Sequence, residues 1–211
     1  MDDSNNYFTR NREEMLAFLP QGFNNVLEIG CGEGEFGRLV KEEHITNYTA
    51  IEADLDSARV AEKHLDRVLI GDAFEQLQLL DDKSYDLLIC NDILEHIILP
   101  DVLLKKIRSK MKPNAILVCS LPNFRVLGNM IHILVKKDFE YSEWGIRDTT
   151  HLRFFTKKSI NRFFTDNEFK MEEIKGINPI NTVKAEIPLR FLHLLGHGDM
   201  RYNQYAIVAK F

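Results

Sequence analysis

The stretch Val26-Leu27-Glu28-Ile29-Gly30-Cys31-Gly32-Glu33-Gly34 carries an acidic residue inside an apolar, strand-like run and then glycine at three alternate positions. Glycine adopts positive φ without penalty and lets backbone approach a ligand with no side chain between them. A helix-like segment follows at residues 36–43, with Phe36, Leu39 and Val40 on one face. The first turn of a helix leaves N–H groups unpaired, so strand, glycine loop and helix together form a site for a nucleoside-bearing ligand.

Outward from this loop, strand-like and helix-like periods alternate for most of the chain, which places it in the α/β class with repeated βα units around a parallel sheet. Residues 25–29, 48–52, 67–70, 85–91, 115–121, 169–175 and 205–211 read as strands. Helices are expected at 6–18, 36–43, 57–65, 100–111, 157–166 and near 183–195. Pro20-Gln21-Gly22 breaks the first, Lys112-Pro113-Asn114 stops the fourth, and Thr156 is a good N-cap for the fifth. Residues 85–91 (YDLLICN) are almost continuously apolar, as a central strand buried on both faces should be. The connection 124–155 is long, and such connections are more often functional than idle.

At 211 residues, 45% hydrophobic and 28% charged, the chain has the composition of one globular domain, 1–211, with a small insertion. A net charge of -5 argues against broad attraction to nucleic acid. Cys31, Cys90 and Cys119 are odd in number and far apart, which fits reduced thiols in a cytoplasmic protein rather than a disulfide scaffold or zinc site. The start of the sequence is polar and acidic, and no apolar run approaches the roughly 20 residues of a membrane span, so a soluble, cytoplasmic protein without a transmembrane segment is expected.

Gly32-x-Gly34-x-x-Gly37 formally matches the dinucleotide fingerprint, but it begins two residues late, after Gly30 has already ended the strand. The Gly-Lys-Ser/Thr ending of a phosphate loop is absent. Glu52 lies 22 residues beyond Gly30, close to the roughly 20 expected for a ribose-binding acid. Asp72 follows the third strand, and the fourth ends in Asn91-Asp92-Ile93-Leu94-Glu95-His96.

Read from the strand end, Glu28-x-Gly30-x-Gly32-x-Gly34 resembles the first motif of class I S-adenosylmethionine-dependent methyltransferases, and the resemblance extends along most of the chain. It implies a Rossmann-like, seven-stranded, mostly parallel sheet with an antiparallel last strand and helices on both faces. It further implies that Gly30, Cys31, Gly32 and Gly34, with Glu28 behind them, wrap the methionine part of S-adenosyl-L-methionine. Glu52, with Ala53 beside it, would hold the ribose; Asp72, Ala73 and Phe74 would surround the adenine, and Asn91 and Asp92 would complete the site. A carboxylate can accept both ribose hydroxyls, and Asp72 can accept from an exocyclic amine. Tyr7 and Arg12 stand where some small-molecule members have an aromatic and an arginine, for the sulfonium and the cofactor carboxylate.

Methyl transfer from a sulfonium needs alignment and, for a hydroxyl acceptor, one base. The candidates are His151 and then His96. His151 lies in residues 148–155, which look like the Asp-x-Thr-His-Leu-Arg-Phe-Phe segment of a bacterial subgroup similar to glycan and secondary-metabolite methyltransferases. That segment puts 124–155 forward as a substrate cap. Residues 124–170 hold nine basic against six acidic residues, which suggests a small, anionic acceptor such as a nucleotide-linked sugar. The apolar run 126–135 reads as a buried helix, an acceptor lid, a homodimer contact or a membrane-surface helix. No metal is expected. The residues leave open a nicotinamide-dependent oxidoreductase, and a noncatalytic partner that binds the same methyl donor.

Overall fold

The computed structural model describes residues 12–211. Strands β1 (Asn25–Ile29), β2 (Asn47–Glu52), β3 (Arg67–Ile70), β4 (Tyr85–Asn91), β5 (Met111–Pro122), β6 (Lys170–Pro179) and β7 (Tyr202–Lys210) form one sheet in the order β3-β2-β1-β4-β5-β7-β6. Strands β1 to β5 pair in parallel, and β7 runs antiparallel between β5 and β6. This is the Rossmann-like sheet expected, with the last strand reversed.

Alternation along the strands builds two cores. Leu27, Ile29, Ile51, Leu88, Cys90, Leu117 and Cys119 pack on one face against Leu103, Leu104 and Ile107 of α4 (Pro100–Arg108) and Ile160 and Phe164 of α6 (Lys157–Asp166). Val26, Tyr48, Ala50, Leu87, Ile89 and Val118 pack on the other, against Phe36 and Val40 of α1 (Glu35–Glu43) and Ala61 of α2 (Leu55–Ala61). The central strands are buried on both faces, which is why their sequence reads as continuous apolar runs.

Local chemistry sets the element ends, and in places moves them from the positions expected. Asp54 accepts from the Ser57 N–H at 2.8 Å, so α2 begins at Leu55 rather than 57. Helix α4 stops at Arg108, and Met111 already pairs with Tyr85 in β5. Lys112 precedes Pro113, which disfavours helical backbone there and starts the strand early. The Thr156 cap is confirmed as a reciprocal box, with Thr156 Oγ1 accepting from Ser159 N–H at 3.2 Å and Ser159 Oγ accepting from Thr156 N–H at 2.8 Å. Of the leading helix expected at 6–18, the described part is a short 3-10 turn, Glu13–Phe18, anchored by buried Met15.

Three further α-helices belong to the fold. Helix α3 (Ala73–Gln76) follows β3, α5 (Leu127–Leu134) lies within the 124–155 connection, and α7 (Val183–Leu194) joins β6 to β7. Among the described residues no helix is long and apolar enough to cross a membrane.

Candidate active site

Strand order reverses between β1 and β4: β1 leads to α1 on one face, β4 leads to α4 on the other, and a crevice opens at their carboxyl ends. A cavity of about 300 Å³ sits there. Its wall includes Glu28, Gly30, Cys31 and Gly32 from β1 and its loop, Glu52 from β2, Asn91 and Asp92 from β4, and Arg12 and His96 from outside the sheet. The elements therefore bring together residues as far apart in sequence as Arg12 and Thr150.

Backbone shape defines the loop. Gly30, Gly32 and Gly34 have φ of 74°, 54° and 81°, a region that side chains other than glycine's adopt at a cost. A Cβ on Gly30 would lie 2.6 Å from Ile93 Cδ1. Gly34 is the N-cap of α1 and faces Ala61 rather than the cavity. Gly37 is closed in by Leu65 and Tyr48, so the displaced dinucleotide match is helix–sheet packing.

Glu52 ties the loop to β2: its Oε2 accepts from Gly32 N–H at 2.7 Å and its Oε1 from Asp54 N–H at 2.9 Å. Glu28 is buried in β1 and accepts from the Tyr48 hydroxyl at 2.8 Å. Burial, opposed by that hydrogen bond and reinforced by Glu52, pushes the Glu28 carboxyl up to about 8. Burial likewise pushes the thiols of Cys31, Cys90 and Cys119 up, so all three are buried, protonated and unreactive.

The adenine-side residues stand apart from this cavity. Asp72 is the N-cap of α3, its Oδ1 accepting from Phe74 N–H at 2.8 Å, and neither Asp72, Ala73, Phe74 nor Ala53 is among the cavity's lining residues. Tyr7 lies outside the described residues.

The cavity fits a nucleoside with an aminoacyl tail on three counts. Its floor is side-chain-free backbone at Gly30 and Gly32; a carboxylate stands at the end of β2; and both polar atoms of the Asn91 amide, buried against the cavity, have no hydrogen-bond partner among the described residues. A buried amide left without a partner is costly, and a ligand bearing donors and acceptors relieves that cost.

Arg12 and Asp92 form a wall shared with a second cavity of about 780 Å³. Asp92 takes a left-handed φ of 48° and is buried. It accepts from Ser120 Oγ at 2.7 Å and from Gln204 Nε2 at 2.8 Å, and is ion-paired with the Arg12 guanidinium. The larger cavity also carries Glu95, Asn129, Trp144, Arg147, His151, Asn178, Asn203 and Gln204. These come from the β4–α4 loop, α5, the 124–155 connection, β6 and β7.

His151 is buried on the far side of this wall, its Nδ1 3.2 Å from Ile146 O and its ring 4.7 Å from that of His96 in an edge arrangement. Burial lowers both imidazoles; the His151 ring lowers His96 further, while the Ile146 carbonyl and Asp148 partly offset the effect at His151, so both favour the neutral form. His151 thus faces the larger cavity and His96 the smaller one. Glu95, His96 and His151 each place a donor atom within 4.8 Å of the others, the one such group among the described residues.

Sequence reading missed most of the larger cavity. Glu95 was visible beside His96, and its position one turn past Asp92 at the end of β4 was the available signal. Asn178, Asn203 and Gln204 carry no local signal, because only the antiparallel pairing of β6 with β7 brings them together.

Comparison with known proteins agrees with this geometry. A family profile described as "Methyltransferase domain" matches residues 4–174. A ubiquinone biosynthesis O-methyltransferase of Rickettsia typhi is 24% identical over 158 residues, 72% of this chain and 62% of that protein. The mitochondrial ubiquinone biosynthesis O-methyltransferase of Saccharomyces cerevisiae is 26% identical over 162 residues, 72% of this chain and 51% of that one. The chain thus spans about half to two thirds of the length of these curated relatives. A solved SAM-dependent methyltransferase from Archaeoglobus fulgidus superposes with a TM-score of 0.66 at 23% identity, covering 98% of this chain and 94% of that one. The [4+2]-cyclase SpnF superposes with a TM-score of 0.60 at 17% identity, covering 90% and 74%. The same sheet therefore occurs in a protein named for a different reaction, and the fold alone does not fix the chemistry.

Proposed function

The chain belongs to the methyltransferase-domain family, and from that premise we propose that it transfers a methyl group from S-adenosyl-L-methionine to a hydroxyl of a small, polyhydroxylated acceptor, such as a sugar or glycan intermediate. The observation that carries this is the pair of adjoining cavities, one floored by glycine backbone and one lined by side chains, which share Arg12 and Asp92 in their lining. A direct displacement requires donor and acceptor sites that adjoin, so that the acceptor oxygen can reach the methyl in line.

Gly30, Gly32, Glu52 and Asn91 would hold the cofactor, with Arg12 within reach of its carboxylate. Bound there, the cofactor supplies an already activated methyl. What remains for the protein is to orient the acceptor, exclude water and take one proton. Asn129 presents an Oδ1 with no hydrogen-bond partner among the described residues, Asn178, Asn203 and Gln204 are bonded into one polar wall with Asp92, Trp144 offers a flat apolar face, and Arg147 suits an anionic substituent. His151 takes the proton: its Nδ1 faces a carbonyl, which can only accept, so Nδ1 carries the hydrogen and Nε2 holds the free lone pair. Residues 124–155 act as the acceptor cap, since they contribute Asn129, Trp144, Arg147 and His151 to one cavity.

The curated relatives are named for ubiquinone biosynthesis; the amide-rich lining supports a more polar acceptor here. Calorimetric titration tests the donor: S-adenosylmethionine binding with no nicotinamide binding is expected, and the reverse overturns the proposal. Incubation with labelled methyl donor and a lysate of the source organism tests the reaction, with a labelled, hydroxyl-rich product expected. Donor binding without any labelled product would mark a noncatalytic partner instead.

A further inference from the structure

Glu95 is fully buried, and neither carboxylate oxygen has a hydrogen-bond partner among the described residues. A carboxylate in that position is costly to keep unless it has work to do. Its Oε1 lies 4.0 Å from His151 Nε2, and both residues line the acceptor cavity. The separation is built by main chain: the Glu95 carbonyl accepts from the N–H groups of Leu152 and Arg153, at 2.8 and 3.0 Å. The residue that presents the carboxylate therefore also docks the segment that presents the histidine. This is the physical link between the end of β4 and residues 148–155, two motifs that the sequence sets more than 50 positions apart.

We propose that Glu95 is a positioning and proton-holding residue for His151, so that the buried Glu95–His151 pair, rather than the imidazole alone, is the base of the site. This rests on the reading above that His151 takes the acceptor's proton. The acceptor O–H bond breaks as an N–H bond forms at Nε2, and the imidazolium then passes that proton to the Glu95 carboxylate, forming an O–H bond and restoring the neutral ring. The proton leaves to water when the cavity opens to release product. The form competent to start is ionised Glu95 beside neutral His151.

The groups facing this pair decide its charge. Arg12 favours the ionised form of Glu95, Asp148 from the connection opposes it, and Cys90 and Cys119 from β4 and β5 are protonated neighbours. His151 faces Asp148 and His96. Desolvation outweighs these and pushes Glu95 up to about 8, while it lowers His151. The competent fraction of a pair therefore grows as pH rises toward 8; that of a lone His151 rises at lower pH, below the ordinary imidazole range.

The test is an NMR titration of the whole chain, with labelled histidine nitrogens and glutamate carboxyls and with S-adenosylhomocysteine present. The His151 ring is assigned by its loss in His151→Gln. Expected are two steps at His151, one below its ordinary value and one near 8 that the Glu95 carboxyl shares; Glu95→Gln abolishes the upper step and Glu95→Asp restores it at a shifted midpoint. A single His151 step, identical in wild type and Glu95→Gln, overturns the proposal. If Glu95→Gln does not fold, the wild-type carboxyl decides, since titration in the ordinary range below pH 5 overturns it too. Added zinc chloride that shifts the His96 and His151 nitrogens together at one equivalent would also overturn it, in favour of a cation site. Failure of S-adenosylhomocysteine to bind in calorimetry would instead refute the methyltransferase reading, and so separates the two.

Discussion

The two cavities on either side of the Arg12–Asp92 wall are made in different ways. The smaller is made by backbone: positive φ at Gly30 and Gly32, a clipped loop, and Glu52 holding that loop by two N–H groups. The larger is made by side chains from the β4–α4 loop, α5, the 124–155 connection, β6 and β7. A backbone-made site is exact in what it binds and intolerant of change, because moving it means moving the sheet. A side-chain-made site can be relined without disturbing the fold.

The largest expected effect tests that intolerance. Gly30→Ala puts a Cβ 2.6 Å from Ile93 Cδ1 at a φ of 74°, and should weaken S-adenosylmethionine binding at least about 100-fold by calorimetry, several kcal/mol of strain and displaced loop. Gly145→Ala is the control on the other side: its φ is also positive, at 85°, but no atom lies within 4 Å of the new Cβ. It should cost only about 1–2 kcal/mol of stability and leave cofactor affinity intact. Equal losses in both variants would erase the distinction between the two sites. Next in size is Glu52→Gln, which keeps one acceptor for Gly32 N–H but removes the charge and one oxygen. Roughly a tenfold loss of cofactor affinity is expected, the worth of a charge-assisted hydrogen bond.

The same contrast explains what could be read from the chain. Glycine register, an acid at the end of β2 and the continuous apolar run of β4 are local signals, each enforced by backbone geometry or by burial on two faces, so strand positions and the glycine loop at the smaller cavity were legible. The adenine side was only partly so, because Asp72 in this chain spends its carboxylate capping α3. The lining of the larger cavity was legible at His151, which sits in a dense motif, and not at Asn178, Asn203 or Gln204. Those three are brought to one place by a strand reversal about 25 residues apart in the chain, as Gln204 pairing with Ile177 shows, and amides are ordinary surface residues in any local window. The start of β5 was misplaced because the proline that ends a helix also begins a strand.

On the acceptor side, Trp144 gives a direct readout, because it is the chain's single tryptophan, is 64% exposed and lines the larger cavity. An acceptor that stacks on it should shift its emission to the blue, whereas S-adenosylmethionine alone should not. Trp144→Ala should raise acceptor KM a fewfold to tenfold while cofactor affinity stays the same, the loss of one aromatic contact in a cavity with many others. A parallel loss of cofactor affinity would mean that Trp144 shapes the smaller cavity as well. Chelators should leave turnover unchanged, since the proposed base needs no cation; loss of activity restored by a divalent metal would move the Glu95–His96–His151 corner from proton transfer to metal binding.

The smallest effect compares the two buried acids, each pushed up to about 8 by desolvation. Glu28 has a partner, the Tyr48 hydroxyl at 2.8 Å, and Glu95 has none among the described residues. Because the folded-state value lies above the ordinary 4.5, the native chain holds a proton that the unfolded chain has lost through the window from about 4.5 to about 8. Stability therefore falls as pH rises through that window and levels above it. Glu28→Gln removes this group's share while keeping an acceptor for Tyr48, so the fall of Tm with pH should become shallower, while Glu95 keeps its own share. If Glu28→Gln leaves the slope unchanged, the acid in β1 is ionised in the folded chain, and the backbone-made site carries a buried charge beneath its loop.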